Sequence, residues 1–178
     1  MLALAIHTGC QPPDQPPPSP QRSRVRDRAL APAAETGRLE VTVKRVIDGD
    51  TVLVSGLPTG TGLVRLTGVN APETGDGRTR RECFGPEARR WLAEQVPRGS
   101  RLSLVFDVGP RDRFGRVLAY AYRADGTFLN AALVANGYAQ TMTIPPNLRH
   151  AKELQELERR AVSQKHGLWG ACQAAESR

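Results

Sequence analysis

Residues 47–52 read Ile47-Asp48-Gly49-Asp50-Thr51-Val52, and residues 65–73 read Arg65-Leu66-Thr67-Gly68-Val69-Asn70-Ala71-Pro72-Glu73. Upstream, Leu39, Val41 and Val43 alternate with Glu40, Thr42 and Lys44, which predicts a half-buried strand to about Ile47. Asp48-Gly49 reads as a hairpin turn into a second strand, Asp50 to Val54. Gly56 to Gly62, with Pro58, forms the next connection. Leu63 to Val69 is a third strand, ended at Ala71-Pro72 because proline cannot donate to a ladder.

Downstream, Glu73 to Arg81 is a polar loop. A helix starts at Phe84-Gly85-Pro86-Glu87-Ala88, carries Ala88, Trp91, Leu92 and Val96 on its apolar stripe, and stops at Pro97-Arg98-Gly99. Leu102–Phe106 and Arg116–Tyr122 are the fourth and fifth strands, joined by a charged turn from Asp107 to Arg113. Asp125-Gly126 turns into a short helix over residues 127–136, with Gly137 as its cap. Gln140 to Pro146 reads as irregular. Asn147 would cap a long helix to about Lys165, with Leu148, Ala151, Leu154, Leu157 (or Glu158) and Ala161 at helical spacing. Gly167-Leu168-Trp169 closes the domain, with Trp169 assigned to the core. Five strands, a helix after the third and two helices at the end predict an α+β, mainly β fold: a five-stranded Greek-key barrel of the OB type with three helices.

The chain has 178 residues, which suits one domain plus tails. Residues 1–10 resemble a truncated lipoprotein signal in which Cys10 would be lipidated. Residues 11–38 are a Pro- and Arg-rich linker that cannot pack a core, 39–172 the folded domain, and 173–178 a tail. Export to the cell envelope, as a lipoprotein or a secreted monomer, is the expectation. Cys83 and Cys172 are then either a disulfide or two free thiols. No CxxC or HxxxH spacing makes them a zinc site. The net charge of +7 favours an anionic partner such as nucleic acid. All basic residues except Lys44, Lys152 and Lys165 are arginines, which suits planar phosphate recognition.

Taken singly, Asp48 and Asp50 are turn residues and Arg65 is a solvated strand charge. Taken together, oxygen ligands and a fixed cation converging from neighbouring strands are what metal-assisted phosphodiester cleavage needs. Five segments in register carry a further resemblance: Ile47–Thr51, Arg65 with Asn70–Glu73, Phe84–Ala88, Asp112-Arg113-Phe114-Gly115-Arg116 and Gly167-Leu168-Trp169. Over residues 39–170 the chain resembles the thermonuclease (staphylococcal nuclease-like) family. The resemblance implies an OB-fold nuclease that cleaves DNA and RNA, preferably single-stranded, with Ca2+, leaving 3′-phosphate and 5′-hydroxyl ends.

It also implies roles. Asp50, the Asn70 side-chain oxygen and the Ala71 carbonyl would be metal ligands, with Asp48 ordering metal-bound water. Arg65 and Arg116 would clamp the phosphodiester, and Glu73 would be the general base. His150 and His166, on or beside the last helix, receive no role. Asn70 departs from the family's second aspartate, Phe114 from a tyrosine, and Gln140–Ile144 lacks base-stacking tyrosines. The alternatives are a catalytically weak or inactive OB-fold module that binds nucleic acid, and an envelope scaffold. Neither has a reason to keep Asp48, Asp50, Arg65, Glu73 and Arg116 together.

Overall fold

The alternation that starts at Leu39 becomes the longest strand of a barrel. In the computed structural model, which describes residues 37–75 and 80–172, β1 (Leu39–Asp48) turns Val41, Val43 and Val46 inward. Its pairing with β2 (Thr51–Ser55) shifts register between Val43 and Arg45 and again between Val46 and Asp48. Such bulges bend a strand, and β1 reaches two neighbours: β2 on one side and β5 (Arg101–Val105) on the other. β3 (Leu63–Leu66) pairs antiparallel with β2, and β6 (Val117–Arg123) antiparallel with β5. Parallel pairing of β3 with β6 closes the ring in the order β1-β2-β3-β6-β5. This is the five-stranded OB-type barrel expected, filled by Val43, Val52, Val64, Leu66, Leu104 and Ala119, each at most 2% exposed.

Helix α1 (Gly85–Gln95) lays buried Ala88 and Leu92 against the barrel wall at β1. α2 (Leu129–Ala135) buries Leu129, Leu133 and Val134, and α3 (Ala151–Ser163) packs on it through Leu154 and Ala161. α4 (Leu168–Ala171) follows, and a disulfide joins Cys172 at its end to Cys83 before α1, with Cα atoms 5.8 Å apart. The segments 1–36 and 173–178, including the signal and Cys10 anchor, lie outside the described residues.

Several expectations need correction. The third strand does not run to Val69. Gly68, with φ 80°, breaks it, and Val69–Asn70 forms a separate strand, β4. β4 pairs with Gln140–Thr141, here β7, so the stretch read as irregular starts with a strand. Its partner on α3 is Glu158, whose carboxylate accepts the Thr141 N–H at 2.8 Å and the Thr141 hydroxyl at 2.6 Å. Asn147 does not cap α3, which begins four residues later. Instead its buried amide accepts from the Gly109 N–H at 2.8 Å and donates to the Gly109 carbonyl at 2.9 Å. Leu148, placed on the apolar stripe, is consequently exposed. The helix read over 127–136 is confined to Leu129–Ala135, and Trp169 is half-buried.

Asn130 joins α2 to the barrel at zero exposure: its Oδ1 accepts the Ala121 N–H at 3.0 Å and its Nδ2 donates to the Thr67 carbonyl at 2.8 Å. Truncation strands two buried backbone groups, each worth roughly 1–3 kcal/mol when unsatisfied. Asn130→Ala is therefore expected to lower unfolding free energy by about 2–4 kcal/mol in urea titration. A loss under about 0.5 kcal/mol would mean the amide does not tie these elements together.

Candidate active site

The turn between β1 and β2 is tight because two neighbours press on it. A Cβ on Gly49 would lie 2.5 Å from the Ala71 Cβ and 2.9 Å from the Ala88 Cβ, so only glycine lets the turn sit between the β4 end and α1. Asp48 closes the turn locally, its Oδ1 accepting the Gly49 N–H at 2.8 Å. Asp50 points into the barrel end and is 5% exposed.

Register supplies its partner. Thr51 stands opposite Arg65 in the β2–β3 pair, and the Leu66 N–H donates to the Asp50 carbonyl at 2.9 Å. Arg65 Nη2 thereby comes 2.9 Å from Asp50 Oδ2. The same oxygen accepts the Ala71 N–H at 2.7 Å, while Oδ1 accepts the Thr51 hydroxyl at 3.0 Å. Arg65 is fixed further by Nη2 to Asn70 Oδ1 at 2.9 Å and by Nη1 to the carbonyls of Val69 at 2.8 Å and Leu66 at 3.1 Å. The break at Gly68 turns the chain so that β4 presents Asn70 and Ala71 to this corner.

Glu73 follows Pro72 at the rim. Its N–H donates to Glu82 Oε2 at 3.0 Å, and a Cβ on Gly85 would strike its carbonyl, so α1 begins directly against it. Arg116 arrives on the chain entering β6, the parallel neighbour of β3. Asp112 holds it there: Oδ2 accepts Arg116 Nε at 2.6 Å and Oδ1 accepts the Arg116 N–H at 2.9 Å. The Arg116 guanidinium also lies 5.5 Å from the centre of the exposed Phe114 ring.

The charges are coupled. Burial raises the Asp50 carboxyl, and Arg65, the Ala71 N–H and the Thr51 hydroxyl pull it back. Burial lowers Arg65, Asp50 opposes that, and the positive charge of Arg116 adds to it. Burial also raises Glu73, reinforced by the charge of Asp48, a hydrogen bond shared with it, and the charges of Asp50 and Glu82. Burying an ion pair this deeply costs more solvation than contact readily returns. Asp48, Asp50, Arg65, Glu73 and Arg116 thus form one electrostatic unit, with Asn70 and Ala71 at its edge.

The donors at this corner are hard oxygens: carboxylates, an amide and a backbone carbonyl. Burial first, and then the charges of Asp48, Asp50 and Glu82, raise Glu73. That chemistry fits a hard divalent cation. Among the described residues no three His, Cys, Asp or Glu side chains form a metal-binding group by themselves. A cation here would therefore rest on the Asn70 and Ala71 oxygens as well as on carboxylate. Sequence reading did not assign Thr51, Glu82 or Asp112 to the corner. Asp112 left a signal, since Asp followed by N–H donors two and four residues on, with Gly115 between, is a turn that folds back on its own carboxylate.

Residues 63–171 match the family model described as staphylococcal nuclease homologue. The match includes Arg65, Asn70, Glu73 and Arg116 and begins after Asp48 and Asp50. The chain is 32% identical over 127 residues to a thermonuclease of Staphylococcus intermedius, covering 71% of this chain and 74% of that protein. It is 30% identical over 153 residues to endonuclease YhcR of Bacillus subtilis, covering 82% of this chain but 13% of that protein. It is also 34% identical over 135 residues to endonuclease YncB of the same species, covering 74% of this chain and 62% of that protein.

Glu73 gives a test of the coupling. An acid whose native pKa is raised adds most stability while protonated, and that contribution fades as pH rises through the native value. Glu73→Gln is therefore expected to be more stable than the wild type at pH 7 in chelator, with the advantage gone below about pH 4. Urea titrations at the two pH values check this, and a variant less stable at pH 7 contradicts the coupling.

Proposed function

We propose a function from one premise: the chain belongs to the staphylococcal nuclease homologue family. It is a nuclease, a hydrolase that uses a divalent cation, Ca2+, to cleave phosphodiester bonds of DNA and RNA, single strands preferred, leaving 3′-phosphate and 5′-hydroxyl ends. The observation carrying this reading is the joining of Asp50, Arg65 and Asn70 into one cluster around the buried Asp50 carboxylate, with the charges of Asp48, Glu73 and Arg116 close by.

Asp50, Asn70 Oδ1 and the Ala71 carbonyl would hold the cation, Asp48 would order its water, and the ion would supply positive charge beside the phosphodiester. The protein's own groups perform the displacement. Glu73 accepts the proton of the attacking water, and its raised pKa brings it closer to the pH at which a base works best. The water oxygen bonds to phosphorus while the bond to the 5′-oxygen breaks, and that oxygen takes a proton from solvent to leave as the 5′-hydroxyl. Arg65 and Arg116 face the charge gathering on the non-bridging oxygens. Both are permanently cationic and preorganised, Arg65 by its carbonyl contacts and Arg116 by Asp112. Export is proposed with this activity, supported by the Cys83–Cys172 disulfide, a bond that persists in oxidising compartments. Palmitate labelling that depends on Cys10 would test the anchor.

The full-length protein is expected to degrade denatured DNA with Ca2+ and to stop in chelator. Arg65→Ala and Glu73→Ala should each lose at least about 10²-fold in rate. Activity kept in both variants sinks the site assignment, and no cation-dependent cleavage at all favours a module that only binds. Asn70→Asp restores a second anionic oxygen and is expected to tighten Ca2+ binding several-fold by calorimetry. Equal or weaker affinity would rule out Asn70 as a ligand.

A further inference from the structure

A cleft of about 850 Å³ lies between β1 and α1, outside the catalytic corner. Lys44 and Arg45 line one wall, Arg89 and Arg90 the other, and Arg98 the far end, with no acidic residue among the described residues of the lining. All five are exposed, and none has an ion-pair or side-chain hydrogen-bond partner among the described residues. Five arginines elsewhere sit in ion pairs: Arg65 with Asp50, Arg116 with Asp112, Arg123 with Asp125, and Arg159 and Arg160 with Glu156. Five unpaired cations around one concavity repel one another, and a multivalent anion relieves that cost.

The cleft shares both walls with the catalytic corner. On β1 it includes Ile47, and the next residue is Asp48. On the other side it includes Thr74, which directly follows Glu73. α1 is seated on the acidic turn itself, with Ala88 against Gly49 and Gly85 against the Glu73 carbonyl. At about 3.3 Å per strand residue, Lys44 stands roughly 13 Å from Asp48 along β1. A polymer whose reacting phosphate sits at Arg65 and Arg116 must leave the corner, and here its next phosphates meet cations. A recessed cleft presents these charges poorly to a flat bilayer but well to a chain that can enter it.

We propose that this cleft is a second phosphate-backbone site, holding the single strand that flanks the scissile bond and favouring long substrates over short ones. The proposal rests on the nuclease reading of the neighbouring corner and adds a determinant of substrate length to it.

The test uses the full-length protein and the triple variant Arg89→Gln, Arg90→Gln, Arg98→Gln. Lys44→Gln with Arg45→Gln probes the opposite wall. Lys152→Gln, Arg159→Gln, Arg160→Gln removes the same charge as the first triple from α3. All sites are exposed, so folding should hold within about 0.5 kcal/mol. Binding of a labelled oligothymidylate of about 16 nucleotides is measured in chelator across salt concentrations. Each lost single-strand phosphate contact reduces the slope of log K against log salt by about 0.7, so the cleft triple should lose about 2 and bind at least about tenfold more weakly. The β1 pair should lose about 1.4, and the α3 triple should match the wild type. With Ca2+, KM for the oligonucleotide should rise in both cleft variants while cleavage of a dinucleotide stays unchanged.

Equal weakening by the α3 triple would reduce the effect to net charge and overturn the proposal. So would unchanged oligonucleotide binding in the cleft variants, including the case where they instead lose binding to phosphatidylglycerol vesicles. A protein that shows the expected slope losses yet cleaves neither substrate supports the cleft and refutes the nuclease reading, which keeps the two failures apart.

Discussion

The buried carboxylate of Asp50 is the constraint on which the candidate active site depends. It accepts hydrogen bonds from Arg65, from the Ala71 N–H and from the Thr51 hydroxyl, three groups on three different elements. Without those donors a carboxylate at 5% exposure would pay a desolvation cost the fold could not offset. With them, β2, β3 and the chain entering Pro72 are locked in one arrangement. Pairing two buried ions is poor economy for stability alone. Its return is geometric, because the same Arg65 fork that neutralises Asp50 also fixes Asn70 and the turn at Val69.

Barrel closure does the rest. An antiparallel hairpin can bring Asp48, Asp50 and Arg65 together, and the short β4 adds Asn70 and Ala71. Arg116 lies far along the chain, and the parallel β3–β6 pairing, Arg65 beside Leu118, brings its strand alongside that of the first arginine. Two like charges so placed need an anchor. Asp112 provides it within the same turn, where burial that would raise its carboxyl is overcome by hydrogen bonds and charge from Arg116.

Much of this was legible in the sequence, for identifiable reasons. Period-two alternation from Leu39, the Asp48-Gly49 turn and the Pro72 stop are local signals, and the barrel strands follow them. What sequence reading missed depends on contacts between distant segments. The third strand looked continuous through Val69 because Thr67 and Val69 fit a strand, but Gly68 takes φ 80° so that Val69 and Asn70 can pair with Gln140 and Thr141. Asn147 has the residue type of a helix cap, yet a loop 38 positions away uses its amide more fully than a helix N-terminus would. The five basic residues of the α1 cleft were counted in the net charge, but nothing local says that Lys44 and Arg98 face one concavity.

Asn70 is where these constraints meet. Its Oδ1 shares Arg65 Nη2 with Asp50 Oδ2, while Nη1 is held by two carbonyls. An arginine engaged this fully can turn toward a phosphate only by giving up a partner. A hydrogen bond to a neutral amide is roughly half as strong as one to a carboxylate, so of the two partners of Nη2 the Asn70 oxygen is the cheaper to surrender. On the proposed reading, an aspartate at this position would strengthen the cation site and tighten its grip on Arg65 at the same time. On the proposed nuclease reading, the amide would trade metal affinity for a guanidinium freer to follow the charge developing on the substrate, and the two effects would act on the rate in opposite directions.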